Sequence, residues 1–193
     1  MKALFLLPLL LLPLLWFFFL QPRLLPLSSP IDSYKGVAVY ANGNNYVKSH
    51  GRHYHWSGYY YGQKWQCVEF IKRFLFLAHN HRMPNVWGNA TDFFEPKIPS
   101  GEINPERGML QYANGGPYAP QPDDLIVFKN LTPYGHVAII TEVTAESITM
   151  IQQNVGANTR MTLPLLCLEN KYYVGDEKLQ ATGWLRISLI PHA

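Results

Sequence analysis

Apolar and polar positions divide the chain into one long apolar run, one helical stretch and several strands. Residues 3–20 carry no polar or charged side chain. As a helix this run spans roughly 27 Å, close to a hydrocarbon core of about 30 Å. Pro8 and Pro13 kink it, which a membrane tolerates better than water does. Between residues 66 and 79 the apolar positions Cys67, Phe70, Ile71, Phe74 and Ala78 recur at helical spacing, with Glu69, Lys72 and Arg73 off that face. Phe76 and Leu77 widen the apolar surface, so the pattern predicts a mostly buried helix. Strand-like runs occupy 36–40, closed by the turn Ala41-Asn42-Gly43, and then 125–128, 137–143, 147–153 and 183–187. Residues 42–61 read as polar and aromatic loop, and 84–122 as irregular chain with one helical turn near 89–94. One helix followed by antiparallel strands is an α+β pattern.

The apolar run also bears on location. A secretory signal has a shorter apolar core and a small-x-small cleavage site. Here the run is followed by Gln21-Pro22-Arg23-Leu24-Leu25-Pro26-Leu27, which is bulky or proline-rich. The pattern favours an uncleaved membrane anchor over residues 1–21 rather than a cleaved signal. The prolines and the terminal position argue against a buried core helix. A Pro-rich linker over 22–32 and a single domain over 33–193 follow. With Lys2 inside, that domain faces the extracytoplasmic, periplasmic side of the cell membrane.

Charge removes one class of partner. The chain has 193 residues and a formal net charge of +3, but Lys2 and Arg23 are two of its 16 basic residues and no acid precedes Asp32. The remainder carries 14 basic and 13 acidic residues, so no cationic stripe points to nucleic acid. Of the two cysteines, Cys167 in Leu165-Leu166-Cys167-Leu168 reads as a small buried hydrophobe. A Cys67–Cys167 disulfide is the competing reading in an oxidising compartment.

Cys67 starts the predicted helix in Gly62-Gln63-Lys64-Trp65-Gln66-Cys67-Val68-Glu69-Phe70, and His136 starts a predicted strand. A thiol and an imidazole brought together by folding are the minimum equipment of a cysteine hydrolase. A helix N-terminus carries roughly half a positive charge and unpaired N–H groups, which favour a thiolate and an oxyanion. Gln66 is a candidate side-chain donor to that oxyanion. If Thr144-Ala145-Glu146 is the hairpin loop, Val143 pairs with Ser147, Ala138 with Gln152 and His136 with Asn154. His136, Gln152 and Asn154 then share one face and Gln153 points away. Gln152 is the expected holder of the ring, with Asn154 in reserve; a one-residue slip reverses the assignment.

Other features carry less. His53-x-His55 and His79-x-His81 have metal-ligand spacing but no acidic or cysteine partner, so no metal or other cofactor is expected. Asp123-Asp124 reads as a turn cap before a strand. Tyr59-Tyr60-Tyr61-Gly62 reads equally as cleft lining and as packing.

The block Gly62-x-Lys64-Trp65-Gln66-Cys67-Val68-Glu69-Phe70-x-x-Arg73-Phe74-Leu75-Phe76-Leu77 resembles the nucleophile motif of the CHAP family, the cysteine, histidine-dependent amidohydrolases/peptidases. Within that family it is especially similar to the amidase domain of bifunctional glutathionylspermidine synthetase/amidase. Gly36-Val37-Ala38-Val39-Tyr40, Asn114-Gly115-x-Pro117, Gly135-His136-Val137-Ala138-Ile139-Ile140-Thr141, Gln153-Asn154-Val155 and Gly183-Trp184 follow the same order. The resemblance implies a papain-like α+β fold in which the Cys67 helix packs on an antiparallel sheet carrying His136. It also implies amide hydrolysis through a thioacyl enzyme. Two positions depart from the motif: an amide, Gln152, stands for a Glu, and Lys72 stands for an Arg that helps bind substrate. Lys72, Arg73 and Tyr61 are the expected substrate contacts. The chain ends soon after the last strand, so the synthetase half is expected to be absent. The implied substrate is an amide, either a cell-wall peptide or a glutathionylspermidine-like conjugate. The alternative is a binding module at the cell envelope that keeps the fold and has lost turnover.

Overall fold

The structure, a computed structural model, describes residues 29–188. The expected anchor over 1–21 lies outside them. Among the described residues no helix is long and apolar enough to cross a membrane.

The helix forms where its spacing predicts it, as α1 (Cys67–His79). Phe70, Ile71, Phe74 and Leu75 are fully buried on its inner side, each worth about 1.5–3 kcal/mol. Asn80 ends the helix in the left-handed conformation, and its N–H reaches the Leu75 and Phe76 carbonyls. At the other end the N-cap residue, Gln66, makes no side-chain cap bond. The first-turn N–H groups are thereby left for other acceptors.

The strands are β1 (Pro30–Tyr34), β2 (Val37–Tyr40), β3 (Arg52–Tyr54), β4 (Tyr60–Gln63), β5 (Ile103–Asn104), β6 (Met109–Ala113), β7 (Leu125–Phe128), β8 (His136–Val143), β9 (Ser147–Ile151), β10 (Arg160–Leu168), β11 (Lys171–Val174) and β12 (Gly183–Ile187). Eight of them form one sheet in the order β11-β10-β9-β8-β7-β12-β6-β5, and β1-β2 and β3-β4 pair separately. Alternation along β7 and β8 sends Leu125, Val127, Val137 and Ile139 into the core shared with α1. Ile126, Phe128, Ala138 and Ile140 enter a second core with Trp184, Ile148 and Met150, over which the sheet curls. The protein is therefore mostly β with one α-helix among the described residues, a more strand-rich fold than the α+β pattern suggests.

Several expectations need correction. Residues 42–61 are not all loop, because β3 and the start of β4 pair there. The irregular stretch 84–122 holds β5 and β6 besides the expected 3-10 turn, Ala90–Phe93. Pro30–Asp32, read as linker, belongs to β1, where the Asp32 carboxylate accepts from Arg160 Nε at 2.8 Å. That contact holds the Asp32 carboxyl down at about 2. Cys167 is exposed and free, and Cys67 is likewise unpaired. The reason lies in Pro164, where β10 changes partner from β9 to β11. Proline has no N–H to give a ladder and fits such a switch. Beyond it β10 has only an edge neighbour, and Leu166, Cys167 and Leu168 face out.

The β8–β9 register reaches the expected pairing by a different route. Val143 lies opposite Ile148, one residue off, because Thr144 N–H bonds the Ser147 carbonyl in a four-residue turn. An irregularity between Ile140 and Glu142 takes up the extra residue, and Ile140 then faces Met150 and Ile139 faces Ile151. Extended toward the strand ends, this puts Ala138 across from Gln152, as expected from sequence.

Candidate active site

Cys67 is the first residue of α1 and is 7% exposed. The backbone N–H groups of Val137, the residue after His136, and of Val68 and Cys67 itself lie on the sulfur's side. These contacts favour a thiolate, but burial outweighs them and pushes the thiol up to about 11. Burial thus opposes the acidification that a helix start favours.

His136 opens β8 and is 4% exposed. The preceding Gly135 adopts φ 72°, and a Cβ there would sit 2.9 Å from the Thr91 nitrogen and 3.0 Å from the Phe128 carbonyl oxygen. Glycine thus lets the chain turn tightly into the strand. His136 Nε2 lies 2.9 Å from Gln152 Oε1. Gln152 Nε2 donates to the Asn158 carbonyl at 3.0 Å, which fixes the amide's orientation. Oε1 can only accept, so Nε2 of the ring carries the proton and Nδ1 keeps its lone pair. Burial depresses the imidazole to about 4.

That depression makes stability acid-sensitive. Above about pH 6.5 the ring is neutral whether folded or unfolded, and its burial costs nothing extra. As pH falls from 6.5 toward 4 the unfolded chain takes up a proton that the folded ring refuses. Stability is lost over that window, by about 3 kcal/mol in total. Urea melts at pH 7 and pH 4.5 should show a larger drop for wild type than for His136→Gln; equal drops would refute the assignment.

Cys67 and His136 line one cavity of about 260 Å³, together with Gln66 and Asn154. Tyr46, Val47, Leu131 and Tyr134 wall it, and no Asp, Glu, Lys or Arg lines it. Gln66 does not aim an amide at a reacting oxygen: its Nε2 donates to the Tyr46 and Lys48 carbonyls at 3.2 and 3.0 Å. Asn154 does not hold the imidazole. It turns away at φ 72°, accepts from Asn42 Nδ2 and donates to the Tyr46 carbonyl at 2.8 Å. Both amides instead hold the cavity wall.

The expected substrate contacts separate. Lys72 lines a second cavity of about 120 Å³, which adjoins the first through Gln66, Val68 and Asn89. Its Nζ donates to the Val86 carbonyl at 2.6 Å and sits 4.6 Å from the centre of the Tyr60 ring. Burial and the nearby Arg107 charge lower this amine to about 7. Arg73 and Tyr61 reach neither cavity. Arg73 is buried against the carboxylate of Glu69 at 2.6 Å and the Ala38 carbonyl at 2.8 Å. Tyr61 packs on Phe76 in the interior.

Sequence reasoning passed over Glu69 and Gln153, both buried beside the helix start. A signal was present: a Glu and an Arg four apart on an otherwise apolar helix mark a buried pair. Of the histidines, His53 binds Glu69 at 2.7 Å and His55 binds Ser57 at 2.8 Å. Among the described residues no group of three or more His, Cys, Asp or Glu is placed to hold a metal ion.

Comparison with known proteins adds independent findings. The family model described as CHAP domain matches residues 54–154. The bifunctional glutathionylspermidine synthetase/amidase of Escherichia coli (strain K12) is 37% identical over 100 residues, 50% of this chain and 16% of that protein. The glutathionylspermidine synthase of Crithidia fasciculata is 34% identical over 104 residues, 49% of this chain and 14% of that protein. The matched stretch therefore spans about a sixth of these relatives' length.

Proposed function

This chain belongs to the CHAP domain family, and we propose that it hydrolyses an amide bond with Cys67 as nucleophile, His136 as base and Gln152 as the holder of the ring. The observation that carries this reading is the convergence of the two reactive groups. Cys67 starts the helix that packs on the strand His136 opens, and both side chains line the same cavity.

Burial favours the neutral thiol and the neutral imidazole at rest, so in this reading the base acts during attack and not before it. Nδ1 takes the sulfur's proton as the S–C bond forms, and the carbonyl electrons move to oxygen. The N–H groups of Cys67 and Val68, unpaired within the helix, are suited to that oxyanion. Collapse breaks the C–N bond, and the imidazolium returns the proton to the departing amine. Water, deprotonated by Nδ1, then cleaves the thioester and restores the thiol.

The lining supports a substrate that is uncharged next to the scissile bond and carries a carboxylate that reaches Lys72. Cell-wall peptides and glutathionyl conjugates both meet that description. Neither cavity offers an acid to a polyamine. The apolar run over 3–20 supports a domain held at the membrane on its outer side.

The full chain should be incubated with peptide amides ending in a carboxylate or a carboxamide, and with glutathionylspermidine, and the products weighed by mass spectrometry. The carboxylate substrates should be cleaved, with kcat/KM falling above about pH 7 as Lys72 loses its charge. The carboxamides should show no such fall. No product from any substrate, with no acyl adduct on Cys67, would reject hydrolysis and leave the binding module, which the neutral amide at Gln152 favours.

A further inference from the structure

Three consecutive amides each hold a different part of the site. Gln152 holds the imidazole and Asn154 holds the Tyr46 wall. Gln153, between them, faces α1 and is 1% exposed. Its Nε2 donates to the Gln66 carbonyl at 3.0 Å and to Glu69 Oε2 at 2.8 Å. Its Oε1 accepts from the Tyr40 N–H at 2.8 Å and, at 3.5 Å, from Arg73 Nη2.

From this arrangement we infer that Gln153 is a positioning residue for the hydrolysis proposed above, fixing the start of the nucleophile's helix relative to the strand end that holds the imidazole. Gln66 is the residue before Cys67, and Gln152 is the residue before Gln153. One side chain thus ties together the two main-chain segments whose neighbours must meet.

Glu69 sets the direction of this amide. Its carboxylate is fully buried and already accepts from His53 Nδ1 at 2.7 Å and Arg73 Nε at 2.6 Å. An ionised carboxylate offers only acceptors, so the Gln153 amino group must face it. That leaves the second amino hydrogen for Gln66 and the oxygen for Tyr40. Reversing the amide would set oxygen against oxygen at both Glu69 and Gln66, and two donors against each other at Tyr40. Burial makes each mismatch costly.

The test must separate positioning from mere support of the fold. Gln153→Met keeps the side chain's length and removes every bond. It should lower kcat about 100-fold, the cost of a small misplacement of reacting groups, with KM changed less than about twofold. The exchange Glu69→Gln/Gln153→Glu keeps one carboxylate beside Arg73 but turns an oxygen toward the Gln66 carbonyl. It should regain part of the thermal midpoint lost in Gln153→Met, through the carboxylate beside Arg73, without regaining kcat. Recovery of kcat together with the midpoint, or a kcat in Gln153→Met within about twofold of wild type, would overturn the inference.

Alkylation of Cys67 by iodoacetamide across pH gives a second readout that needs no turnover. Wild type should show a low-pH inflection set by His136, and Gln153→Met should lose it. If wild type cleaves nothing yet shows the inflection, the proposed hydrolysis has failed and the positioning claim stands. If Gln153→Met retains it, the positioning claim is the one that fails.

Discussion

Cys67→Ala is expected to lower amide hydrolysis by a factor on the order of 10⁴ or more, the scale on which removal of a covalent nucleophile acts. Among the described residues lining the cavity Cys67 carries the one thiol, and its other side chains with hydroxyls, those of Tyr46, Thr132 and Tyr134, are weaker nucleophiles at neutral pH. The variant should still fold. Deleting the sulfur takes a small group from the core formed by α1 and the sheet and removes a polarisable neighbour of the Val137 N–H. That loss costs about 1–3 kcal/mol. Initial rates and thermal melts measured on one preparation check both halves. Cys167→Ala is the control, and with its sulfur exposed on β10 it should leave turnover unchanged. Turnover surviving Cys67→Ala would end the thiol mechanism outright.

Gln152→Glu is expected to act in the opposite direction. A carboxylate 2.9 Å from Nε2 favours the imidazolium, whereas the amide oxygen gives a hydrogen bond without charge. The ring, now held near 4 by burial, should rise by several units, each worth about 1.4 kcal/mol. A charged ring beside the sulfur lowers the thiol in turn. Alkylation of Cys67 at pH 7 should therefore quicken by about tenfold or more. The low-pH limb of kcat/KM should move upward with the ring. The substitution has a cost of its own, because Gln152 Nε2 now donates to the Asn158 carbonyl and a carboxylate would present an oxygen there. The melting transition should drop accordingly, by about 1–3 kcal/mol. Slower alkylation and slower turnover together would mean that the site is tuned to the neutral pair and that the amide is no weakened acid.

That Cys67 and His136 share a cavity and that Gln152 meets the ring is legible in the sequence, because Cys67 and His136 each sit at an element boundary that periodicity marks. Helical spacing stops at Cys67, and strand alternation begins beside His136. Their pairing followed from counting a three-residue loop, and the structure reaches the same pairing with a longer turn and a compensating bulge near Thr141. Two local departures cancel there, which alternation cannot reveal. Other errors share a cause. Arg73 and Lys72 are adjacent on the helix and equally polar in sequence, yet one is committed to Glu69 and the other faces a cavity. Only tertiary packing separates them. The thiol's electrostatics were misjudged because a helix N-terminus is visible in sequence and the depth of burial is not. Strands β1, β3, β4, β5, β6, β10 and β11 escaped because they are short, aromatic or interrupted by Pro164, and pairing more than alternation defines them.

Burial that favours the protonated form of Cys67 has a consequence for the lifetime of the proposed active site. Peroxide and other oxidants attack thiolates at accessible sites, and the first product, a sulfenic acid, leads on to forms that no longer catalyse. A Cys67 sulfur that burial favours as the thiol reacts more slowly with oxidants between turnovers of the proposed reaction, even though it lines the cavity. In the proposed reaction the sulfur becomes reactive as Nδ1 of His136 takes its proton during attack on the bound amide. Such a centre can work without a reducing partner to maintain it, an asset in any compartment where glutathione is scarce.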